Sequence, residues 1–268
     1  MSAEGSLHRM GCSRGGNARM TILEGFLLFL SGVLTGMINA VAGGGTFLSF
    51  GALTLIGVPP VVANATSSVT QLPGYVTSTL AYWEDFKLFW RGALALAVAS
   101  ILGALAGAWI LLQLDNPEFR ALVPWLLIAA TALFAAGPYL KPAPKPGKNA
   151  SVGGVFAFVT QFATAIYGGF FGAGMGVMML ATLGLSQNGD YHRLNALKNM
   201  LSVVIAAVAI VVFVSGGVVA WPQALVMIPG VAVGGWSGVW VARRVPQTVM
   251  RGVVIAVGLF LAAYYFWR

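Results

Sequence analysis

The sequence predicts an all-α polytopic membrane protein of about ten transmembrane segments, arranged as two inverted five-segment repeats with short, glycine-broken helices. Three observations carry that prediction. Hydrophobic residues make up 58% of the chain and charged residues 8%, whereas about a quarter of a soluble domain is charged. Apolar runs recur from Thr21 to the last residues, leaving no stretch for a separate soluble domain. The order of long and short runs then repeats on either side of the linker "KPAPKPGKNA", Lys141 to Ala150.

Taken in order, residues 1–20 are small, polar and basic, and read as a disordered tail or a start placed too early, since Met20 opens a natural membrane segment. The first repeat, residues 21–140, holds apolar segments at Thr21 to Ala42, Thr46 to Gly57, Val61 to Trp83, Leu88 to Leu114 and Phe119 to Leu140. The second, residues 151–268, holds Val152 to Phe171, Met175 to Leu185, Asn195 to Val214, Pro222 to Val245 and Thr248 to Trp267. The second segment of each repeat is too short for a hydrocarbon core that needs about 20 helical residues. Pro73 and Gly74 sit near the middle of the third segment and are expected to kink or unwind it.

An offset of 131 places Asn64 on Asn195, Trp90 on Trp221, Gly103 on Gly234, Gly107 on Gly238 and Arg120 on Arg251. An offset of 129 lays "GGGTFLSFGALTLIG" on "GAGMGVMMLATLGLS", so Gly43 meets Gly172 and Gly45 meets Gly174. Five segments per repeat invert the second copy. With both termini outside, Lys87, Arg91, Lys141, Lys145, Lys148, Arg193, Arg243, Arg244 and Arg251 fall inside, while Arg120 and Arg268 fall outside.

Composition also excludes functions. The one cysteine, Cys12, lies in the tail, so disulfides, thiolate metal sites and dithiol redox chemistry lack material. The only histidines are His8 and His192, and neither HExxH nor GxSxG occurs. No enzyme, cofactor or metal is expected. The net charge of +8 lies in connections, where it sets orientation, so no nucleic-acid partner is expected.

Three consecutive glycines, Gly43, Gly44 and Gly45, interrupt the first repeat where a helix ought to continue, at a cost of roughly 1 kcal/mol per residue relative to alanine. Such a break is tolerated at membrane depth only where protein or a water-filled cavity covers the freed backbone. It leaves a helix N-terminus near Gly44, next to Thr46, with unpaired N–H groups and partial positive charge, and the same holds near Gly174, with Gly172 beside it. Two such ends brought together would bind a small anion. "NATSSVTQ" adds Asn64, Ser67 and Gln71, and "NALKNMLS" adds Asn195, Lys198 and Asn199. Lys198 is the expected substrate-facing cation, with snorkelling to the inside surface as the bland alternative. For Ser68 and Thr70 a bond to their own backbone is an equal contender. "GALAGAW" and "GGWSGVW" read as close helix packing through small residues.

"GMINAVAGGGTFLSFGALTLIGVPPVVANATSSV" and the second copy "GGFFGAGMGV…LNALKNML" resemble the sulfite exporter TauE/SafE permeases over essentially the whole chain from Met20. The resemblance implies secondary transport, proton-linked or simple, of sulfite, an organosulfonate or another sulfur-containing anion across a bacterial cytoplasmic membrane. Its partners would be that anion and membrane lipids. The second glycine run, "GAGMG", is poorer in glycine than the first, which puts equal participation of the two halves in question. An anion channel, or a membrane protein with a purely structural or interaction role, is the alternative. Apart from Glu24, no carboxylate lies inside a predicted span.

Overall fold

The computed structural model describes residues 20–41, 43–81, 90–136, 154–186, 191–241 and 247–267. Those residues form ten α-helices and no strand: α1 (Ile22–Val41), α2 (Thr46–Leu55), α3 (Pro60–Ala81), α4 (Trp90–Leu112), α5 (Asn116–Ala136), α6 (Val155–Phe170), α7 (Met175–Ser186), α8 (Tyr191–Ser215), α9 (Trp221–Val241) and α10 (Gln247–Trp267). The chain is therefore an all-helical polytopic membrane protein. Three helices contain unbroken apolar spans long enough to cross by themselves, at Ile22–Ala40, Ala93–Leu112 and Arg193–Ser215. The tail, the linker, Lys87, Arg243, Arg244 and Arg268 lie outside the described residues, as do the side chains of Arg91, His192 and Arg251.

Local chemistry sets the helix starts. At α1, the Thr21 hydroxyl accepts from the Glu24 N–H (3.2 Å) and the Glu24 carboxylate accepts from the Thr21 N–H (2.7 Å), a reciprocal capping box. At α5, Glu118 reaches back to the Asp115 N–H (3.2 Å). Starts at Pro60 and Tyr191, Trp90 and Trp221, and Asn116 and Gln247 are each 131 residues apart, and those at Thr46 and Met175 are 129 apart. Both offsets are the ones read from the sequence.

The two sets of five helices interdigitate. α1 packs along α9 and α4 along α6, so the first helix of each set lies against the fourth of the other; α3 meets α8, and α5 meets α10. Glycine makes the first two contacts close. A Cβ on Gly103 or Gly107 would stand 2.5 or 2.0 Å from the carbonyl oxygens of Phe162 and Ile166 on α6. One on Gly234 would stand 2.0 Å from the Val33 carbonyl on α1, and one on Gly238 would stand 2.7 Å from the Met37 Cα. Both quoted small-residue stretches are packing surfaces.

The unwinding expected at Pro73 and Gly74 does not occur. α3 runs unbroken through Pro73. Its second half is fastened to α9, with Gly74 against Val231 and with the Thr77 and Ser78 hydroxyls donating to the Ala232 and Gly235 carbonyls (3.2 Å each). Tertiary contacts hold a helix that proline alone would weaken. Asn64 and Asn195 each lie in the second turn of their helices, after starts at Pro60 and Tyr191. Proline is preorganised for a first helical position, where its missing N–H costs nothing.

Candidate functional site

Both short helices follow a break at which glycine is required. Gly43 has φ +80°, Gly172 +72° and Gly174 +78°, in the left-handed region that side chains disfavour. The first break meets the start of α7 backbone to backbone, because a Cβ on Gly43 would stand 2.4 Å from the Gly176 Cα. α2 then folds back along α1. The Thr35 hydroxyl donates to the Gly45 carbonyl (3.2 Å) and the Ser31 hydroxyl to the Leu48 carbonyl (3.2 Å). At 10 and 12 residues, α2 and α7 reach only about 15–18 Å.

Asn39, four residues before Gly43 at the hinge of this hairpin, organises the polar centre. Its Oδ1 accepts the Gly45 N–H (2.7 Å), and its Nδ2 donates to Gln71 Oε1 and to the Tyr75 hydroxyl (3.4 Å). Gln71 Nε2 donates to Ser49 Oγ (2.9 Å), which lies 2.6 Å from Ser67 Oγ. The network joins α1, α2 and α3, and every member is buried. One backbone donor expected to face an anion, Gly45 N–H, is thus occupied by Asn39.

The two symmetry-matched asparagines reach across the molecule. Asn64 Nδ2 donates to the Phe170 carbonyl at the end of α6 (2.8 Å), and Asn195 Nδ2 donates to the Ala40 carbonyl at the end of α1 (3.0 Å). Each satisfies an orphan helix-end carbonyl of the opposite half. Each keeps a buried Oδ1 without a partner among the described residues. Lys198, one turn beyond Asn195 and fully buried, donates Nζ to the Asn39 carbonyl (2.9 Å). Its ammonium lies at the negative end of the α1 dipole and does not snorkel to the surface. Asn199 and Ser202, on the same stretch of α8, are buried with unpartnered side-chain polar atoms.

Between the breaks lies a cavity of about 20 Å³, room for roughly one water. Thr46, Ser68, Gln71 and Tyr75 line one part of it, Met175, Ile205, Ala206 and Ala209 another, and Gly168 and Gly172 complete the wall; the surface these residues expose to the cavity is largely apolar. Of the residues expected at a binding site, the structure brings Thr46, Gln71 and Gly172 to this cavity. It places Gly43 and Gly45 at the break and turns Gly174 towards Ala130 and Phe47. Gly44, in the same break, is buried. Ser67 lies in the Asn39 network, while Asn64, Asn195 and Lys198 span the halves. Asn39, Ser49 and Tyr75 were missed from sequence. The signal for Asn39 was an amide alone in the apolar run "GMINAVA" shortly before the glycines.

Broken helices meeting at a buried polar centre, within an interdigitated all-helical membrane domain, define a membrane transporter. The chain matches the family described as "Sulfite exporter TauE/SafE" over residues 28–265, and it belongs to that family. It is similar to a Haemophilus influenzae protein named "Probable membrane transporter protein", at 22% identity over 88% of this chain and 92% of that one. It is also similar to the Escherichia coli "Probable membrane transporter protein YfcA", at 25% identity over 90% and 89%. The Sinorhizobium "Probable membrane transporter protein ORF9" is 26% identical over 88% and 89%.

Proposed function

We propose that this transporter moves a small anion, sulfite or an organosulfonate, across the bacterial cytoplasmic membrane by alternating access, and that it is a carrier and not an enzyme. The observation that supports this most is the close backbone contact of the first glycine break with the start of α7, beside a cavity between the two sets of helices whose exposed lining is largely apolar. A cavity holding about one water is too small for a sulfur oxyanion, so the closed centre must open before substrate enters. An anion with an apolar side matches the lining better than a fully hydrated one. Residues 21–140 and 151–268 act in this reading as inverted repeats that rock about the Gly43–Gly176 contact.

In the same reading the anion is held by the breaks at Gly43, Gly44, Gly45, Gly172 and Gly174, by Thr46, Ser67 and Gln71, and by the amides of Asn64, Asn195 and Asn199. The Gly43, Gly45 and Gly172 N–H groups must first leave the Ile38 carbonyl, Asn39 Oδ1 and the Tyr167 carbonyl, so they engage the anion only when the centre opens. Lys198 supplies the charge. Two helix ends contribute only about half a charge each, which underneutralises a dianion in a dry site. Movement of the α1 end away from α8 releases the ammonium from the Asn39 carbonyl to the substrate. Lys198→Met is expected to weaken anion affinity at least about tenfold, from roughly 1.5–3 kcal/mol for a charge-assisted bond, and Lys198→Arg to keep part of it. Unchanged affinity in a folded Lys198→Met variant removes this residue from the site.

The deciding assay is flux in proteoliposomes with sulfite, sulfate, sulfoacetate and thiosulfate. Saturable uptake accelerated by substrate on the opposite side marks a carrier. Flux without counterflow marks a channel, and no flux of any sulfur anion overturns the substrate assignment.

A further inference from the structure

We propose that the groove at the start of α5 binds the headgroup of an anionic phospholipid. The groove, about 490 Å³, is formed where the starts of α3 and α5 meet the end of α10, and its wall includes Pro60, Asn116, Pro117, Arg120, Trp125 and Phe266. Three features point to a lipid. The exposed Arg120 guanidinium makes no ion pair or hydrogen bond with a described residue. It lies in the first turns of α5, where the helix dipole adds partial positive charge. The acidic neighbours do not neutralise it: Asp115 and Glu118 are not part of the lining, and Glu118 is bent back onto the Asp115 N–H.

Asn116 supplies further donors. Its Oδ1 accepts the Val61 N–H (3.1 Å), fixing the amide, while its Nδ2–H groups make no bond among the described residues. The prolines at 60, 117 and 124 line a groove of fixed shape. Trp125 and Phe266, 64% and 55% exposed, stand edge to face at 5.5 Å and form its aromatic wall. From Trp125 the lipid-facing surface continues along α5 through exposed Leu122 and Ile128. A phosphate held by Arg120 and Asn116 therefore has an apolar track for acyl chains beside it, which a free phosphate ion does not use. Arg120 and Trp125 lie five residues apart on α5, about 7.5 Å along its axis, so the arginine can meet an anionic headgroup while the tryptophan lies beside its glycerol and upper acyl region.

The test is native mass spectrometry of delipidated protein titrated with phosphatidylglycerol, phosphatidylcholine or inorganic phosphate. Wild type is expected to retain phosphatidylglycerol over phosphatidylcholine. Arg120→Gln should lower that retention about fivefold, the factor for one basic residue at an anionic surface, and Arg120→Lys should restore part of it. Trp125→Ala should weaken retention of phosphatidylglycerol without creating a preference for phosphatidylcholine. Equal retention of the two lipids by wild type, or unchanged retention in Arg120→Gln at an unchanged melting temperature, overturns the proposal. Displacement of phosphatidylglycerol by millimolar inorganic phosphate overturns it too, and reassigns the groove to a soluble anion.

Discussion

Asn39 and the crossing asparagines show how few side chains hold the centre together. Removing the Asn39 side chain leaves the Gly45 N–H and Gln71 Oε1 buried without their partner, and each buried orphan costs about 1–3 kcal/mol. Asn39→Ala is therefore expected to lower the melting temperature in detergent by more than Ser237→Ala, whose hydroxyl bonds only its own helix. Asn64→Ala and Asn195→Ala make a sharper pair, since both remove one donor to a helix-end carbonyl of the opposite half. Similar thermal losses are expected from the two. A loss confined to one of them would show that the crossing contacts are not equivalent.

At the scale of the helix, glycines divide by what they touch. Gly43→Ala forces a left-handed backbone onto a side chain, at about 1–2 kcal/mol, and drives Cβ into Gly176, so both folding and transport should suffer. Gly107→Ala is no mild control, although packing glycines often tolerate one methyl: its Cβ would stand 2.0 Å from the Ile166 carbonyl and push α4 off α6. Gly252→Ala meets nothing within 4 Å and should leave melting temperature and flux unchanged. If Gly107→Ala melts like Gly252→Ala, the α4–α6 interface is looser than its close backbone contact implies.

For the whole molecule, the contacts gather particular ends on one face. The Val61 N–H meets Asn116 at the starts of α3 and α5, and Thr54 meets Tyr265 (3.1 Å) at the ends of α2 and α10. Those four ends share a side in an arrangement where α2 returns along α1, as a ten-segment path requires. In a background lacking Cys12, cysteines at Lys145 and Gln247 should label from one side, and cysteines at Gly57 and Asp115 from the other. Labelling of Lys145 and Gln247 from opposite sides would rule out the inverted arrangement.

The sequence by itself determined the membrane class, ten helices among the described residues, the offsets between the halves and the two glycine breaks. Those follow from local quantities: apolar length, the helix cost of glycine, and the spacing of matching residues. It also marked Asn64, Asn195 and Lys198 as out of the ordinary, because polar groups are costly in apolar surroundings wherever they point. Their partners were a different matter. Asn195 meets a carbonyl 155 residues away, and Lys198 one 159 away, so only the docking of α1 against α8 decides that the ammonium ends on a helix terminus instead of in open water. The continuity of α3 through Pro73, the role of Asn39, and the largely apolar lining of the cavity were settled in the same way. Each depends on which surface arrives opposite it in space, and spacing along a single chain carries no measure of that.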